Sequence, residues 1–511
     1  MMLSPRQLGL AVVALLTALC LALPTHNPTG DAWYYAACAR WGQELWQPHH
    51  LLYNGIGWAW LRLVGGTGPA TIVWLQALNA LALGGSLLAL GGVLRRAGVA
   101  AAAVPAWVLL TGSCFGLLRF ATENETYVQP LLLSLLGALA WTRALATPAG
   151  RRQLGWLALA GLLAATACLV HQLMVWWWLG LLLGLQPWRG RAALAATVVY
   201  ALPALVVPLA YWLAAPAGTA GVVGLVRFAL HDYQTGGATL ETGGKLPLLT
   251  VINLVRTVGQ VHGNMLPLLH HWPLLLGTTA LACLALGTYA LLGLRRPAPP
   301  LPALGLPRLV RRVHGGVWLV QAFFSYIAGA NSEFMVMLPA LAAIALAGGW
   351  LAAWPPRRVV ALGVALLAWN LAFGLLPSRL LTYTATGPAL RARVQAQPRA
   401  WFLLLDPNLL RNQLHYYTGH PQAPRRVLGP PAGWEPKPGE FHDFRRWLTA
   451  RLAAGDTVYT DAIGPALPFD RAQMMLRQNN TELLAGYRQV RVDSFATFFG
   501  RRYLTRLEAA R

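Results

Sequence analysis

Long runs of apolar residues, separated by short polar segments, dominate the first three quarters of the chain. A run of about 20 apolar residues is long enough to cross the hydrocarbon core of a membrane as an α-helix. We place eleven such spans, near residues 8–24, 69–94, 100–118, 128–142, 154–170, 172–187, 192–215, 272–294, 314–330, 334–352 and 359–376. The first run follows Arg6 and lacks a small-residue cleavage site, so we interpret it as a retained helix. The pattern predicts an α-helical polytopic membrane protein.

Composition supports this prediction and excludes a soluble enzyme. Hydrophobic residues make up 56% of the chain and charged residues only 11%, with a mean hydropathy of +0.48, whereas soluble domains carry roughly 25% charged residues. The net charge of +23 would indicate a nucleic-acid partner in a soluble protein. Here the arginines cluster in short loops between spans, as the positive-inside rule expects of cytoplasmic loops. Membrane topology therefore accounts for the positive charge, and no nucleic-acid partner is implied.

The charges also predict an orientation. A cytoplasmic N-terminus places every loop arginine pair, such as Arg95/Arg96 and Arg357/Arg358, in the cytoplasm. The acidic residues of positions 1–376 then all fall outside; they are Asp31, Glu44, Glu123, Glu125, Asp232, Glu241 and Glu333. Because topology rules barely constrain acidic residues, this one-sided distribution indicates a carboxylate-bearing cavity at the outer surface.

The composition changes after residue 376. Residues 377–511 hold ten of the 17 acidic and 19 of the 40 basic residues. Apolar runs at Trp401–Leu405 and Thr457–Thr460 predict strands, and Glu440–Ala453 predicts an amphipathic helix. We therefore expect a transmembrane module at 1–376 and a small soluble α/β domain at 377–511, which the odd number of spans places outside the cytoplasm.

The first outer loop holds the densest group of polar side chains. An acid, a base, two tyrosines and two histidines follow one another near the membrane face: Asp31, Tyr34, Tyr35, Arg40, His49 and His50. Polar groups at membrane depth are costly and tend to be functional. The alternative makes Asp31 a charge at a helix N-terminus and the histidines interfacial anchors.

Two further groups lie at the ends of adjacent spans. Arg119, Glu123 and Glu125 share one short loop, and Asn331-Ser332-Glu333-Phe334 precedes a later span. The alternatives are a solvated turn for the first group and a helix cap for the second. His171 follows an apolar run, and we interpret it as a helix-packing residue. Several basic residues fall on the outer side, although the positive-inside rule favours the cytoplasmic side for such residues. Either an anionic ligand or chance explains their position. They are Arg40, Arg62, Arg119, Arg227, Lys245 and Arg256.

These residues resemble the GT-C superfamily of integral membrane glycosyltransferases, which includes the protein mannosyltransferases and the bacterial aminoarabinose-to-lipid A transferases. The resemblance covers most of residues 1–376. Its carriers are Asp31 with Tyr34 and Tyr35, Pro48-His49-His50-Leu51-Leu52-Tyr53, Glu123-Asn124-Glu125-Thr126-Tyr127, and Asn331-Ser332-Glu333-Phe334-Met335 followed by Leu338-Pro339. The chain departs from the mannosyltransferases in having Asp31-Ala32 where they have an Asp-Glu pair.

The resemblance implies an inverting hexosyl or pentosyl transfer from a polyprenyl-phosphate donor to an extracytoplasmic glycan, lipid or protein acceptor, in the inner (plasma) membrane. Inversion needs a carboxylate base and cations for the departing phosphate. Asp31 is the candidate base. Candidates for the donor phosphate are Arg40, His49, His50, Arg119 and Arg256. Tyr34, Tyr35, Glu123, Glu125 and Glu333 are the candidate substrate-binding residues, and the three glutamates are also candidates for a divalent cation.

Two other classes of protein remain open at this point. A transporter or flippase would place ionisable residues near the bilayer midplane and often shows inverted repeats, and neither feature is clear in the sequence. A non-catalytic subunit of an envelope assembly would tolerate the loss of Asp31. Neither the sugar nor the acceptor follows from the sequence.

Overall fold

The structure is a computed structural model, which describes residues 4–185, 190–219, 221–235, 240–241, 243–261, 265–292, 305–384, 387–421, 426–428, 440–463, 484 and 486–509. The chain forms two compact units. Unit 1 comprises Met1–Pro24, Glu44–Val261 and Leu274–Leu376, and unit 2 comprises Thr25–Gln43, His262–Pro273 and Pro377–Arg511.

Helices dominate the described residues. In chain order they are α1 (Pro5–Ala22), α2 (Gly30–Trp41), α3 (Tyr53–Val64), α4 (Thr71–Arg96), α5 (Val104–Gly112), α6 (Phe115–Ala121), α7 (Val128–Ala146), α8 (Arg151–Val170), α9 (Val175–Leu183), α10 (Gly190–Ala201), α11 (Val206–Ala214), α12 (Gly221–Ala229), α13 (His231–Thr235), α14 (Leu246–Val258), α15 (Met265–His271), α16 (Pro273–Leu291), α17 (Leu306–Ile327), α18 (Leu338–Leu346), α19 (Pro356–Asn370), α20 (Leu376–Leu380), α21 (Pro388–Ala396), α22 (Pro407–Thr418) and α23 (Glu440–Ala453). Short 3₁₀ turns at Gln172–Met174, Leu202–Leu205 and Ser332–Met335, and a π-helical turn at Leu371–Leu375, adjoin some of them.

Among the described residues, seven helical segments are long and apolar enough to cross a membrane: Pro5–Ala22, Thr71–Arg96, Val128–Ala146, Arg151–Val170, Ala192–Ala214, Pro273–Leu291 and Pro356–Leu380. Helices α5 and α6 make an eighth span if they are counted together, although the chain bends by 67° between them. Only 11% of the apolar window is buried in Ala192–Ala214 and in Pro273–Leu291. Apolar surfaces of this extent mark contacts with lipid or with another protein.

The predicted count of eleven spans is not confirmed. The segments near 172–187 and 334–352 form shorter apolar helices, Gln172–Leu183 and Ser332–Leu346. The segment near 314–330 belongs to α17, in which polar residues such as Arg311 and His314 interrupt the apolar sequence. A window of apolar residues reports hydrophobicity, whereas a span also needs an unbroken helix about 30 Å long.

Small residues allow the helices of unit 1 to pack closely. A Cβ atom on Gly161 of α8 would lie 2.0 Å from the carbonyl oxygen of Tyr200, and one on Gly137 of α7 would lie 3.3 Å from that of Ala160. Lipid tails are as apolar as leucine, so close backbone approach and polar contacts must hold membrane helices together.

Unit 2 contains a five-stranded sheet among its described residues. Its strands are β1 (Trp401–Leu403), β2 (Val427–Leu428), β3 (Val458–Thr460), β4 (Arg488–Thr497) and β5 (Gly500–Glu508), in the spatial order β2-β1-β3-β5-β4. β1 is parallel to β2 and β3, while β5 is antiparallel to β3 and β4. Helices α22 and α23 provide the crossovers that parallel pairs require. The predicted small α/β domain is confirmed.

Helix α2, from the first loop, also belongs to unit 2 and packs against α22. The side chain of Asn412 donates a hydrogen bond to the carbonyl oxygen of Gly30 at 2.9 Å, and the ring centroids of Trp33 and Tyr416 lie 4.9 Å apart. Unit 2 therefore combines chain segments from before and after the main run of spans.

Candidate active site

A buried loop between α6 and α7 carries two of the predicted carboxylates. Glu123 and Glu125 are only 3% and 4% exposed. Asn79 of α4 holds the loop, because its amide nitrogen donates to the carbonyl oxygens of Glu123 at 2.8 Å and Glu125 at 2.7 Å. Gln129 donates to the Asn79 amide oxygen at 2.9 Å and so fixes the orientation of that amide. Asn79 was not among the predicted site residues, although a buried amide within an apolar helix, like that of the neighbouring Gln76, was a usable signal.

Replacing Asn79 by Leu should therefore destabilise unit 1. The carbonyl oxygens of Glu123 and Glu125 would lose a buried donor, which costs about 1–3 kcal/mol. We expect a lower thermal midpoint for the purified protein in detergent. Ser86→Ala is the matched control, since Ser86 is buried on the same helix but its hydroxyl bonds only the local carbonyl of Ala82. Equal midpoints for the two variants would contradict the anchoring role.

Tyr53 fixes the same loop from α3. Its hydroxyl donates to the side-chain oxygen of Asn124 at 2.8 Å. Burial, reinforced by the negative charge of Glu125, raises the pKa of Tyr53 well above its usual range. The phenol therefore remains a protonated donor at any physiological pH, which keeps the loop conformation independent of pH at this contact.

Two arginines approach these carboxylates. The Nε atom of Arg119, at the end of α6, lies 3.5 Å from Oε2 of Glu123. Arg119 also interacts electrostatically with Glu125 and Glu333. Arg256, on α14, interacts with Arg119 and with Glu333. The structure thus brings together five residues that were predicted from separate parts of the sequence.

The loop after α17 positions Glu333. The hydroxyl of Tyr127 donates to Glu333 Oε2 at 3.0 Å, and Asn331 Oδ1 accepts from the Glu333 backbone N–H at 3.0 Å. Asn253, three residues before Arg256 on α14, donates to the carbonyl oxygen of Ala330 at 2.8 Å. Ala330 has a positive φ of 57°, a conformation that costs a non-glycine residue roughly 1–2 kcal/mol. Packing and hydrogen bonds therefore hold this loop in a strained shape.

Three histidines adjoin this cluster. The rings of His50 and His171 are 4.5 Å apart, and that of His171 is 5.1 Å from the ring of Tyr127. Nδ1 of His171 accepts from the Leu173 backbone N–H at 3.2 Å, so Nε2 carries the proton. His171 therefore lies beside the polar loops, and the interpretation as a packing residue alone overlooked this contact.

Burial lowers the pKa of His171 to about 3, with a smaller contribution from the charge of His49. Burial also lowers the pKa of His50 well below its usual value, and His171 adds to this effect. Both rings are therefore neutral near pH 7.

This neutrality predicts a pH dependence of stability. The unfolded chain binds a proton at His171 below about pH 6.5, whereas His171 in the native state stays neutral down to about pH 3. Stability contributed by neutral His171 should therefore fall as the pH drops through this window, by up to about 1.4 kcal/mol per pH unit. Thermal midpoints measured from pH 7 to pH 4 should decline less steeply for His171→Asn than for the wild type. The exposed His420→Gln control should retain the wild-type slope; identical slopes for all three proteins would refute the prediction.

His49 is engaged by protein groups on both sides. Its Nε2 contacts a carboxylate oxygen of Asp232 of α13, and its Nδ1 lies 3.2 Å from Oε1 of Gln172. Gln172 also donates to the hydroxyl of Tyr211 at 2.7 Å. These contacts tie the first outer loop to the segment around α11–α13, and a role of His49 in binding phosphate stays a prediction.

The other predicted site residues belong to unit 2. Asp31 is exposed in the first turn of α2, where the side chain of Thr29 caps the helix by accepting from the Ala32 N–H at 3.0 Å. The Arg40 guanidinium donates to the carbonyl oxygen of Tyr416 at 3.1 Å. The ring centroids of Tyr34 and Tyr35 lie 5.7 Å apart, with Tyr35 buried and Tyr34 half-buried. Their predicted catalytic and substrate-binding roles stay predictions.

The described residues offer no group of three or more His, Cys, Asp or Glu side chains that could hold a metal ion. A divalent cation at Glu123, Glu125 and Glu333 therefore finds no support in the ligand geometry.

Comparisons with known proteins show the fold. No family model matches the sequence, and no curated protein matches it significantly. The oligosaccharyltransferase of Archaeoglobus fulgidus, in a complex with Zn and sulfate, is 13% identical with a TM-score of 0.53, over 95% of this chain and 72% of that chain. Arabinofuranosyltransferase AftD from Mycobacteria is 14% identical with a TM-score of 0.50, over all of this chain and 40% of that chain. ArnT from Cupriavidus metallidurans, bound to undecaprenyl phosphate, matches 98% of this chain and 97% of that chain at 12% identity, but its TM-score is 0.49.

The helices and the comparisons define a multi-pass membrane protein. It shares its fold with the solved oligosaccharyltransferase of Archaeoglobus fulgidus and with the arabinofuranosyltransferase AftD. The resemblance inferred from the sequence is confirmed at the level of the fold.

Proposed function

We propose that the chain is an inverting glycosyltransferase that moves a sugar from a polyprenyl-phosphate donor to an extracytoplasmic glycan, lipid or protein acceptor. The observation that carries the proposal is that the guanidinium groups of Arg119 and Arg256 interact electrostatically with each other and with Glu333. Two cations held close together repel each other, and a phosphate between them removes that repulsion. Two solved structures that share the fold are, by name, an oligosaccharyltransferase and an arabinofuranosyltransferase.

The proposed reaction is a single displacement. The oxygen of an acceptor hydroxyl attacks the anomeric carbon while the bond from that carbon to the phosphate oxygen breaks. Asp31 takes the hydroxyl proton, and the polyprenyl phosphate leaves with the electron pair of the broken bond. Arg119 and Arg256 stabilise the charge that develops on the leaving phosphate.

The three glutamates have a different proposed role. Glu123, Glu125 and Glu333 accept hydrogen bonds from sugar hydroxyls, because ionised carboxylates are strong acceptors. Tyr34 and Tyr35 provide ring surfaces for the sugar or the acceptor. Arg40, His49 and His50 remain further candidates for the donor phosphate. The protein contacts of Arg40 and His49 make them weaker candidates than Arg256.

The same proposal assigns the domains and the location. Residues 1–376 form the catalytic membrane module in the inner (plasma) membrane. Residues 377–511 form an extracytoplasmic α/β domain. The one-sided distribution of carboxylates among the predicted loops supports this orientation. Cytoplasmic labelling of a cysteine placed at the exposed position 31 or 420 would contradict it.

Glycolipid and glycan profiling tests the function. A strain that lacks the gene should lose one glycosylated species and accumulate the acceptor without that sugar, as mass spectrometry would show. Complementation with the wild-type gene should restore the species. Purified protein in proteoliposomes should then transfer the sugar from the polyprenyl-phosphate donor to the accumulated acceptor. Unchanged glycan and glycolipid profiles in the deletion strain would refute the proposal.

A further inference from the structure

A cavity of about 560 Å³ lies in unit 1 between α1, α4 and the start of α5. Ten of its twelve lining residues are apolar, among them Gly9 and Leu10 of α1, Leu88 and Gly91 of α4, and Val104 of α5. The two glycines leave room beside the helix backbones. A Cβ atom on Gly9 would approach no neighbour closer than 3.9 Å, and one on Gly91 none closer than 3.5 Å. The volume falls within the roughly 300–1,000 Å³ of ligand pockets.

Two cations close one end of this apolar groove. Arg6 lies in the first turn of α1 and Arg95 in the last turn of α4, and both side chains line the cavity and are exposed. Within the described part of the chain, neither guanidinium makes a hydrogen bond or an ion pair. Leu10 and Leu88 are each 50% exposed on the same walls. An amphiphile with an anionic head and a hydrocarbon tail matches this combination, whereas a soluble anion would leave the apolar walls uncovered.

The groove is separate from the candidate active site. Asn79 marks the active-site end of α4, and Arg95 lies 16 residues further along the same helix. At 1.5 Å per residue, about 24 Å separates the two levels, close to the thickness of the hydrocarbon core. A lipid whose phosphate lies at Arg119 and Arg256 therefore cannot place that phosphate between Arg6 and Arg95.

We propose that this groove binds one anionic glycerophospholipid. Its phosphate lies between Arg6 and Arg95, and an acyl chain lies along Gly9, Leu88 and Gly91. The bound lipid belongs to the leaflet at the N-terminal end of α1 and joins α1 to α4. The proposal does not depend on the glycosyltransferase function.

Two kinds of variant test the groove. Arg6→Gln/Arg95→Gln removes both charges, and Arg151→Gln/Arg152→Gln is its control, because that pair is exposed at the start of α8 and does not line the cavity. Gly9→Leu keeps both charges and fills the groove. Gly155→Leu is its control, since a Cβ atom on Gly155 meets nothing within 4 Å and α8 lies away from the cavity.

Native mass spectrometry of the full-length protein, titrated with phosphatidylglycerol, phosphatidylcholine or undecaprenyl phosphate, gives the readout. We expect one tight phosphatidylglycerol site in the wild type and in both controls. The double arginine variant should weaken it on the order of 30-fold, as expected for the loss of two arginines beside an anionic lipid, and Gly9→Leu should weaken it comparably. Equal affinity for phosphatidylcholine, displacement by undecaprenyl phosphate, or wild-type binding by either groove variant would each overturn the proposal.

Discussion

Replacing Asp31 by Asn is expected to lower kcat for glycan transfer by roughly two to four orders of magnitude, the usual contribution of a general base. Asparagine keeps the shape of the side chain but cannot accept the proton of the attacking hydroxyl. Asp31 is exposed at the first turn of α2, so the substitution should leave expression and the fold intact. Transfer by the purified variant in proteoliposomes, at saturating donor, measures the effect.

Glu44→Gln provides the matched control for Asp31→Asn. Glu44 is another exposed carboxylate of the first predicted outer loop, so its loss changes the net charge equally. We expect wild-type kcat for the control and wild-type donor affinity for both variants. Wild-type transfer by Asp31→Asn would remove the catalytic assignment and favour a non-catalytic envelope subunit.

The length of the apolar runs was sufficient to predict the helical membrane module, because only helices and closed barrels satisfy the hydrogen bonds of the backbone in lipid. It was insufficient to count the spans. Ser113 and Cys114 separate α5 from α6, and the chain turns by 67° there. Neither residue is a strong helix breaker, so the bend follows from packing between distant segments. Hydropathy averages over such breaks.

The residues of the site could be predicted from the sequence, but their arrangement could not. Arg119 and Arg256 were predicted because they lie on the outer side against the positive-inside rule, and three glutamates were predicted because acidic residues are rare in the membrane module. The structure brings these five residues together. Their geometry depends on Asn79, which reaches the loop 44 residues further along the chain. A single sequence does not reveal such a contact. The assignment of α2 to unit 2 likewise depends on its packing against α22, more than 300 residues away.

Replacing Arg256 by Gln should raise KM for the lipid-linked donor and lower kcat/KM by on the order of 10- to 100-fold, since a hydrogen bond to a charged group contributes about 1.5–3 kcal/mol. Within the described residues Arg256 makes no hydrogen bond or ion pair, so its loss should disturb the fold less than loss of Arg119, which pairs with Glu123. Arg256→Lys retains the charge without the planar fork and should recover part of the activity. Product inhibition by polyprenyl phosphate should weaken in parallel with KM.

Arg227→Gln, at an exposed arginine of the same predicted outer segment, should match the wild type. If KM and product inhibition in Arg256→Gln also match the wild type, then the paired guanidinium groups do not bind the donor phosphate, and the cations of the site must be sought elsewhere in the chain.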